Sequence, residues 1–249
     1  MPNQSEFDRL RVVLVNTRNP LNIGAAARAM SNFGFAHLRV VSPFQLAFRE
    51  ARSAVGAAPL LARAEEFKSA ADAVADCSLV VGTTALSRRN PEQVVRELQQ
   101  GARLIRKRLA AGNVALLFGS EKRGLSNEGL SHCHWLMRIP TREEHRSMNL
   151  GQAVAVCLYE LARDAKPAAE KGEVPRAAAA DLERLTSLLL EVLRDSSYLK
   201  TTTDKTRDTR PAAPVEEKMR RLVRRLNLAA ADAKLLMGMF RQVLWKLHS

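Results

Sequence analysis

Along the first two thirds of the chain, short apolar runs alternate with longer stretches in which apolar positions recur at helical spacing. Residues 11–15, 38–41, 78–81, 113–118 and 135–139 are apolar almost throughout and read as buried strands. Between them, 23–33 has a helical period and is closed by Gly34, a C-terminal cap signal. The alanine-rich stretch 46–75 reads as helix in pieces, broken near Gly56 and Pro59. A further helix is expected from Pro91, which suits a first helical turn, towards Leu109. From 149 to 163, Leu150, Val154, Cys157, Leu158 and Leu161 fall on one helical face.

Strands that are apolar on both faces and alternate with helices imply an α/β fold with a mostly parallel sheet covered on both sides. In such a fold, ligands bind at the carboxyl ends of the strands. After Asp164 the pattern changes. Residues 165–178 are small, polar and proline-containing and read as a linker. Helical segments follow at about 179–193, 216–226 and 229–247, with 196–214 as a loop rich in Thr, Lys, Arg and Pro. The expected division is an α/β domain over 1–164, a linker over 165–178 and a helical C-terminal extension over 179–249. No internal repeat is visible.

Charge narrows the range of partners. The 249 residues hold 39 Lys and Arg against 26 Asp and Glu, a formal net charge of +13. Such an excess favours a polyanion, because phosphates attract these side chains at long range and release counterions on contact. An ordinary solvated basic surface would look the same. A membrane is not expected: no run of 18 apolar residues exists, and the first residues lack the blocks of a signal peptide. Cys77, Cys133 and Cys157 are odd in number and lie in apolar surroundings, so they read as reduced core thiols of a cytoplasmic protein. His132-Cys133-His134 suggests a metal only briefly, since neighbouring residues point apart and no second pair completes a site; no metal is expected.

Candidate chemistry sits where the strands end. Asn22-Ile23-Gly24 precedes Arg28 by one turn, so glycine and arginine share a helical face on which the arginine could hold a phosphate or an acceptor bidentately. The same pattern fits a plain helix start capped by Asn22 with an exposed arginine. Leu117-Phe118-Gly119-Ser120-Glu121-Lys122-Arg123-Gly124-Leu125 leaves the most apolar strand through two glycines and a carboxylate, which suggests a compact binding loop. Ser147-Met148-Asn149 opens the helix at 149–163, where Ser147 or Asn149 could simply be caps. The polar excursion 140–146 before it carries Arg142 and Arg146, which could touch phosphate. His145 there has no evident partner for a general base role. Gly82-Thr83-Thr84-Ala85 ends another strand. No G-x-G-x-x-G is present, which argues against an ordinary dinucleotide site.

Taken in order, 14–28, 114–127 and 139–156 resemble the three signature motifs of the SPOUT superfamily, in its SpoU/TrmH branch of RNA ribose 2′-O-methyltransferases. Met148 stands where leucine is more usual, an apolar exchange of similar volume. Thr83, Thr84 and Ala85 with Arg88, and the tail around Lys218-Met219-Arg220-Arg221-Leu222, are similar to features of the TrmJ-like subgroup, which methylates cytidine or uridine at tRNA position 32. The resemblance implies a C-terminal trefoil knot, a homodimer with shared active sites, and S-adenosylmethionine as methyl donor. It also implies roles. Arg28 would hold the reacting hydroxyl and a phosphate, Asn22 and Asn149 would orient it, Glu121 would fix Arg28 or the loop, and Ser147 would position a neighbour. Thr83, Thr84, Ala85, Gly119, Ile139, Ser147 and Met148 would hold the cofactor. Arg142, Arg146, Arg220 and Arg224 would meet RNA, the last two at helical spacing on what reads as a basic face. Ribosomal RNA is the alternative substrate, and a non-catalytic RNA-binding protein with a vestigial pocket the alternative class.

Overall fold

The computed structural model describes residues 4–42, 58–85, 91–145, 147–163, 174–199 and 215–249. The apolar runs form one sheet from β1 (Leu10–Val15), β2 (His37–Val41), β3 (Glu65–Phe67), β4 (Leu79–Thr83), β5 (Val95–Glu97), β6 (Val114–Phe118) and β7 (Trp135–Arg138), in the order β3-β2-β1-β6-β4-β7-β5. All pairings are parallel. Alternate side chains enter two separate cores. Val12, Leu14, Leu116, Phe118, Val81 and Met137 face one; Val13, Val15, Ala115, Leu117, Val80 and Leu136 face the other. A strand buried on both faces has no polar position to spare, which is why these segments read as unbroken apolar runs.

The longer helices are α1 (Pro20–Phe33), α2 (Leu98–Leu109), α3 (Leu150–Arg163), α4 (Ala179–Asp195), α5 (Val215–Arg225) and α6 (Ala230–Leu247). α1, α2 and α3 supply Ile23, Ala26, Met30, Ile105, Val154 and Leu158 to the first core. α3 lies close on α1 at Gly151, where a Cβ would stand 2.5 Å from that of Ala25. Two strands escape the sequence pattern. β3 and β5 have three residues each, lie at the two edges of the sheet, and carry one apolar residue apiece. β5 occupies the start of the segment expected to be helical from Pro91, so α2 begins at Leu98. The expected helix over 46–75 is reduced to short turns at Ala58–Ala62 and Ala70–Ala73, with 43–57 outside the described residues.

Sheet order also places the loops. β6 enters between β1 and β4, and β7 between β4 and β5, both strands laid down earlier in the chain. The carboxyl ends of β4, β6 and β7 therefore lie side by side, and the polar segments after them share one end of the sheet.

The extension is not a free tail. α4, α5 and α6 enclose a small core of Ala177, Leu182, Leu185, Val223, Ala233 and Met237. Its first residues are pinned to the sheet domain: Ala179 N donates to Cys77 O at 2.8 Å and Ala180 N to Ala75 O at 3.1 Å. Residues 174–178, expected in the linker, are tied to the α5–α6 turn through Ala177 N to Leu228 O at 3.0 Å and Ala230 N to Pro175 O at 2.8 Å. Along α6, Met237 and Leu244 are buried, whereas Leu235, Met239, Val243 and Leu247 are exposed. The three cysteines are free and buried, and burial pushes the Cys133 and Cys157 thiols up to about 12.

Candidate functional site

The three motifs meet through side chains. Pro20 at the first turn and Asn19 as cap start α1, with Leu21 N donating to Asn19 Oδ1 at 3.0 Å. Asn22 is therefore not the cap; it lies inside the helix, buried, with its amide free to reach outward from β1. Its Nδ2 donates to Glu121 Oε1 at 3.0 Å, and its Oδ1 accepts from Asn149 Nδ2 at 2.8 Å. Asn149 Oδ1 in turn accepts from Gly151 N at 2.9 Å and Gln152 N at 3.3 Å, opening α3. One relay, Glu121–Asn22–Asn149, thus joins residues 99 and 127 positions apart.

Glu121 ends that relay as a carboxylate. Burial works to raise its pKa, but hydrogen bonds from Asn22 and from the backbone N–H groups of Glu121, Asn19 and Arg18 outweigh it, and the group titrates below the ordinary range. Its partners are all donors, so it is held ionised and aimed at motif one.

Beside the relay lies a cavity of about 600 Å³, within the usual range of small-molecule sites. Thr83, Thr84 and Ala85 wall it from β4, Gly119 to Leu125 from β6, and Ile139, Thr141, Ser147 and Met148 from the segment after β7. Leu130, Met137, Leu150 and Ala153 give it an apolar floor. Thr83 Oγ1 donates to Leu117 O at 2.9 Å and Thr84 N to Met137 O at 3.0 Å, which fixes the β4 exit against both neighbours. Every residue expected to hold a cofactor lines this one cavity.

Gly119 is constrained by its own chain. A Cβ there would run into the backbone of Gly124 and Leu125. The loop closes on itself with Gly124 N donating to Ser120 O at 2.8 Å and Gly124 at φ +66°, a left-handed position that favours glycine. Close approach is thus required at Gly119, but between two strands of backbone.

Arg28 stands apart. It is exposed on α1 and does not line the cavity. Leu21, 79 % exposed, lies seven residues earlier on the same face, and between them Gly24 has open space where a side chain would be. The structure thus assembles Asn22, Glu121, Asn149 and the cavity residues in one chain and leaves Arg28 outside them.

The basic positions need correction. Arg220 and Arg224, expected on a solvated phosphate-binding face, are 6 % and 2 % exposed. They point into the seam between the extension and the sheet domain, where Arg220 Nε pairs with Glu183 at 2.9 Å and Arg224 Nη2 with Glu183 at 3.5 Å. Burial pulls the Arg224 guanidinium down to about 10, with Glu183 opposing. A helical spacing of arginines marks a face, but not which way it turns. Arg142 is exposed; Arg146, Arg88 and most of 196–214 lie outside the described residues. Exposed cations to which the sequence gave no phosphate role lie nearer the motifs: Lys122 and Arg123 line the cavity, and Arg18 precedes the cap of α1. No regular spacing groups the three, so the sequence did not mark them as a phosphate-facing set.

His132 and His134 turn to protein partners. His132 Nε2 lies 2.9 Å from Glu128, and His134 Nδ1 accepts from Val80 N at 3.1 Å. Among the described residues no group of three or more His, Cys, Asp or Glu is placed to hold a metal ion, and no helix is long and apolar enough to cross a membrane.

Comparison with known proteins agrees with this geometry. The SpoU rRNA Methylase family matches residues 9–159. The tRNA (cytidine/uridine-2′-O-)-methyltransferase TrmJ of Yersinia pestis is 34 % identical over 242 residues, covering 94 % of this chain and 91 % of that protein. The tRNA (cytidine/uridine/adenosine-2′-O-)-methyltransferase TrmJ of Pseudomonas aeruginosa is 41 % identical over 156 residues, 62 % of this chain and 61 % of its own. The crystal structure of TrmJ from Z. mobilis superposes with a TM-score of 0.78 at 29 % identity, covering 94 % of this chain and 98 % of the other.

Proposed function

The chain belongs to the SpoU methylase family and is an RNA 2′-O-methyltransferase, and from that membership we propose that it methylates a tRNA ribose with S-adenosylmethionine as donor. The observation that carries the reading is the convergence of all three strand-end segments on one cavity beside the Glu121–Asn22–Asn149 relay.

The cavity suits the donor. Its volume, its floor of Leu130, Met137 and Leu150, and its rim of Thr83, Thr84, Thr141 and Ser147 fit an adenosine with a polar tail. Ile139, Met148 and Ala85 would flank the adenine, with the backbone of Gly119 close by. When bound, the donor supplies a methyl group already activated on a sulfonium, so the protein need only position the acceptor and ease loss of its proton. Asn22 and Asn149 hold their amides in fixed orientation, and ionised Glu121 anchors them. Arg28 would hold the ribose hydroxyl and an adjacent phosphate; as an arginine it stays charged and acts as a clamp. Ser147 at the cavity rim would position the neighbouring group.

That Arg28 lies outside its own cavity supports a site completed by a second copy of the chain. The α1 stripe of Leu21, Gly24 and Arg28 and the exposed Leu235, Met239 and Val243 of α6 would be the surfaces for a homodimer. The insertion of β6 and β7 between strands already laid down supports a knotted path through the loops that line the cavity. RNA phosphates would run over Arg18, Lys122, Arg123 and Arg142, with Arg146 in the same loop. The methyltransferase domain would be 1–164 and the helical extension 179–249, with 165–178 between them. A cytoplasmic tRNA, methylated at the pyrimidine of position 32, is the substrate proposed. Incubation with methyl-labelled donor and either total tRNA or ribosomal RNA, followed by mapping of the labelled nucleotide, tests it. Label confined to position 32 of tRNA is expected; label confined to ribosomal RNA would shift the assignment to that substrate.

A further inference from the structure

The helix Asn127–Ser131 has five residues, far too few to hold itself in water. Its position is set by tethers. Ser126 Oγ caps it by accepting from Gly129 N at 3.1 Å, and Gln93 Nε2 donates to Leu130 O at 2.8 Å. A third tether comes from the extension: Arg220 Nη1 donates to Ser131 Oγ at 3.0 Å, and that hydroxyl donates onward to Glu128 O at 2.6 Å. The rest of the Arg220 fork is engaged too. Nε donates to the two Glu183 oxygens at 2.9 and 3.2 Å, and Nη2 to Glu216. His132, next in the chain, lies 3.8 Å from Glu183 through Nδ1.

The same short helix forms part of the cavity. Leu130 lines it, and so does Leu125, one residue before the cap. Leu125 also packs over Gly82, where a Cβ would stand 3.0 Å from Leu125 Cδ1. Whatever shifts Ser131 therefore shifts the wall that the donor would press on.

We infer that Arg220 is a positioning residue for the cofactor cavity, acting from the extension through Ser131 to hold the Leu125–Leu130 wall in place. The inference rests on the proposed function only in taking this cavity as the donor site. Arginine suits the task because its planar fork reaches Glu183, Glu216 and Ser131 at once, which a lysine ammonium cannot do. The extension thus contributes to methyl transfer without touching donor or RNA at this point.

General adhesion between the two parts would also bury Arg220, and a neighbour separates the two roles. Arg221 is as buried, at 7 %, and crosses the same seam to Glu92 at 3.1 Å, but no bond joins it to Asn127–Ser131. Calorimetric titration of S-adenosylmethionine into the full chain, well below its melting transition, compares the parent with Ser131→Ala, Arg220→Lys and Arg221→Gln. Ser131→Ala leaves the ion pairs intact and keeps the test open should Arg220→Lys fold poorly. Ser131→Ala and Arg220→Lys are expected to weaken binding roughly fivefold to tenfold, and the pair together no more than the larger single change. In turnover assays KM for the donor should rise with kcat nearly unchanged. Arg221→Gln should melt earlier yet bind as the parent does. Parent-like affinity in Ser131→Ala, or an equal loss in Arg221→Gln, would overturn the inference while leaving the donor site standing. A parent that binds no donor would remove the donor site itself, and this inference with it.

Discussion

The cavity wall and the C-terminal extension use the same kinds of residue to opposite ends. Around the cavity, polar side chains from the segments that follow the strands bond to one another across the sequence, as Asn149, Asn22 and Glu121 do, while Arg18, Lys122, Arg123 and Arg142 stay exposed. In the extension, Arg220, Arg221 and Arg224 are turned inward and neutralised by Glu183, Glu216, Glu217 and Glu92. Position in a parallel sheet dictates exposure at the strand ends, since backbone and side chains there must leave the core. Helical spacing dictates only that residues share a face. The difference explains why strand-end motifs were informative about a site and a basic helix was not.

Substitutions at four positions probe this contrast. The largest effect is expected at Gly119. Gly119→Val sets a side chain against the Gly124–Leu125 backbone, so the motif-two loop cannot close and donor binding is lost altogether. Calorimetry on whatever folded protein is recovered checks this; retained affinity would mean that the loop can open without cost. Next is Arg28→Ala, which should cut turnover roughly a hundredfold to a thousandfold while donor affinity stays nearly constant, because Arg28 lies outside the cavity. Arg28→Lys should fail similarly, since a point charge cannot reproduce a planar fork.

The extension should respond in stability first. Glu183→Gln leaves Arg220 and Arg224 buried without their shared carboxylate, which should cost about 3–5 kcal/mol in urea unfolding. A loss below about 1 kcal/mol would place the seam in the class of exposed pairs. The smallest effect is at Asp76, between Ala75 and Cys77, whose carbonyls receive the first residues of the extension. Burial works to raise its carboxyl, but hydrogen bonding and charge from Arg39 outweigh that and hold it at about 2. The unfolded chain therefore takes up this proton first as pH falls. The stabilisation is complete above the ordinary value of 3.8 and lost between there and about 2. Asp76 is 41 % exposed, so screening limits the effect to about 1 kcal/mol. Asp76→Asn should lower stability at neutral pH and converge with the parent at the acid end of that window.

Much of the sheet domain was legible in the sequence. Buried parallel strands must be apolar throughout, and β1, β2, β4, β6 and β7 announced themselves in that way. β3 and β5 did not, because three residues at a sheet edge carry too few apolar positions to make a pattern. The cavity residues were readable because glycine, threonine and asparagine directly after such runs have few structural reasons to be there. Asn22 shows the limit: the sequence allowed it to be a cap, and only the position of Asn19, three residues earlier at the true helix start, frees it for the relay. Arg220 and Arg224 show another. Their burial depends on Glu183, 37 and 41 residues away, and on Ser131, 89 residues from Arg220. No local pattern contains that information.

Methyl transfer to the ribose is open to a direct chemical test. A 2′-O-methyl group removes the hydroxyl that alkali uses to cut RNA, so a methylated ribose survives as part of an alkali-resistant dinucleotide. Total tRNA incubated with the purified chain and methyl-labelled S-adenosylmethionine, then hydrolysed in alkali, should carry its label in such dinucleotides, and Arg28→Ala protein should leave them unlabelled. Label recovered in mononucleotides would place the methyl on a base, and no label at all with a donor-binding protein would leave the cavity without a transfer reaction; either result would contradict the central claim.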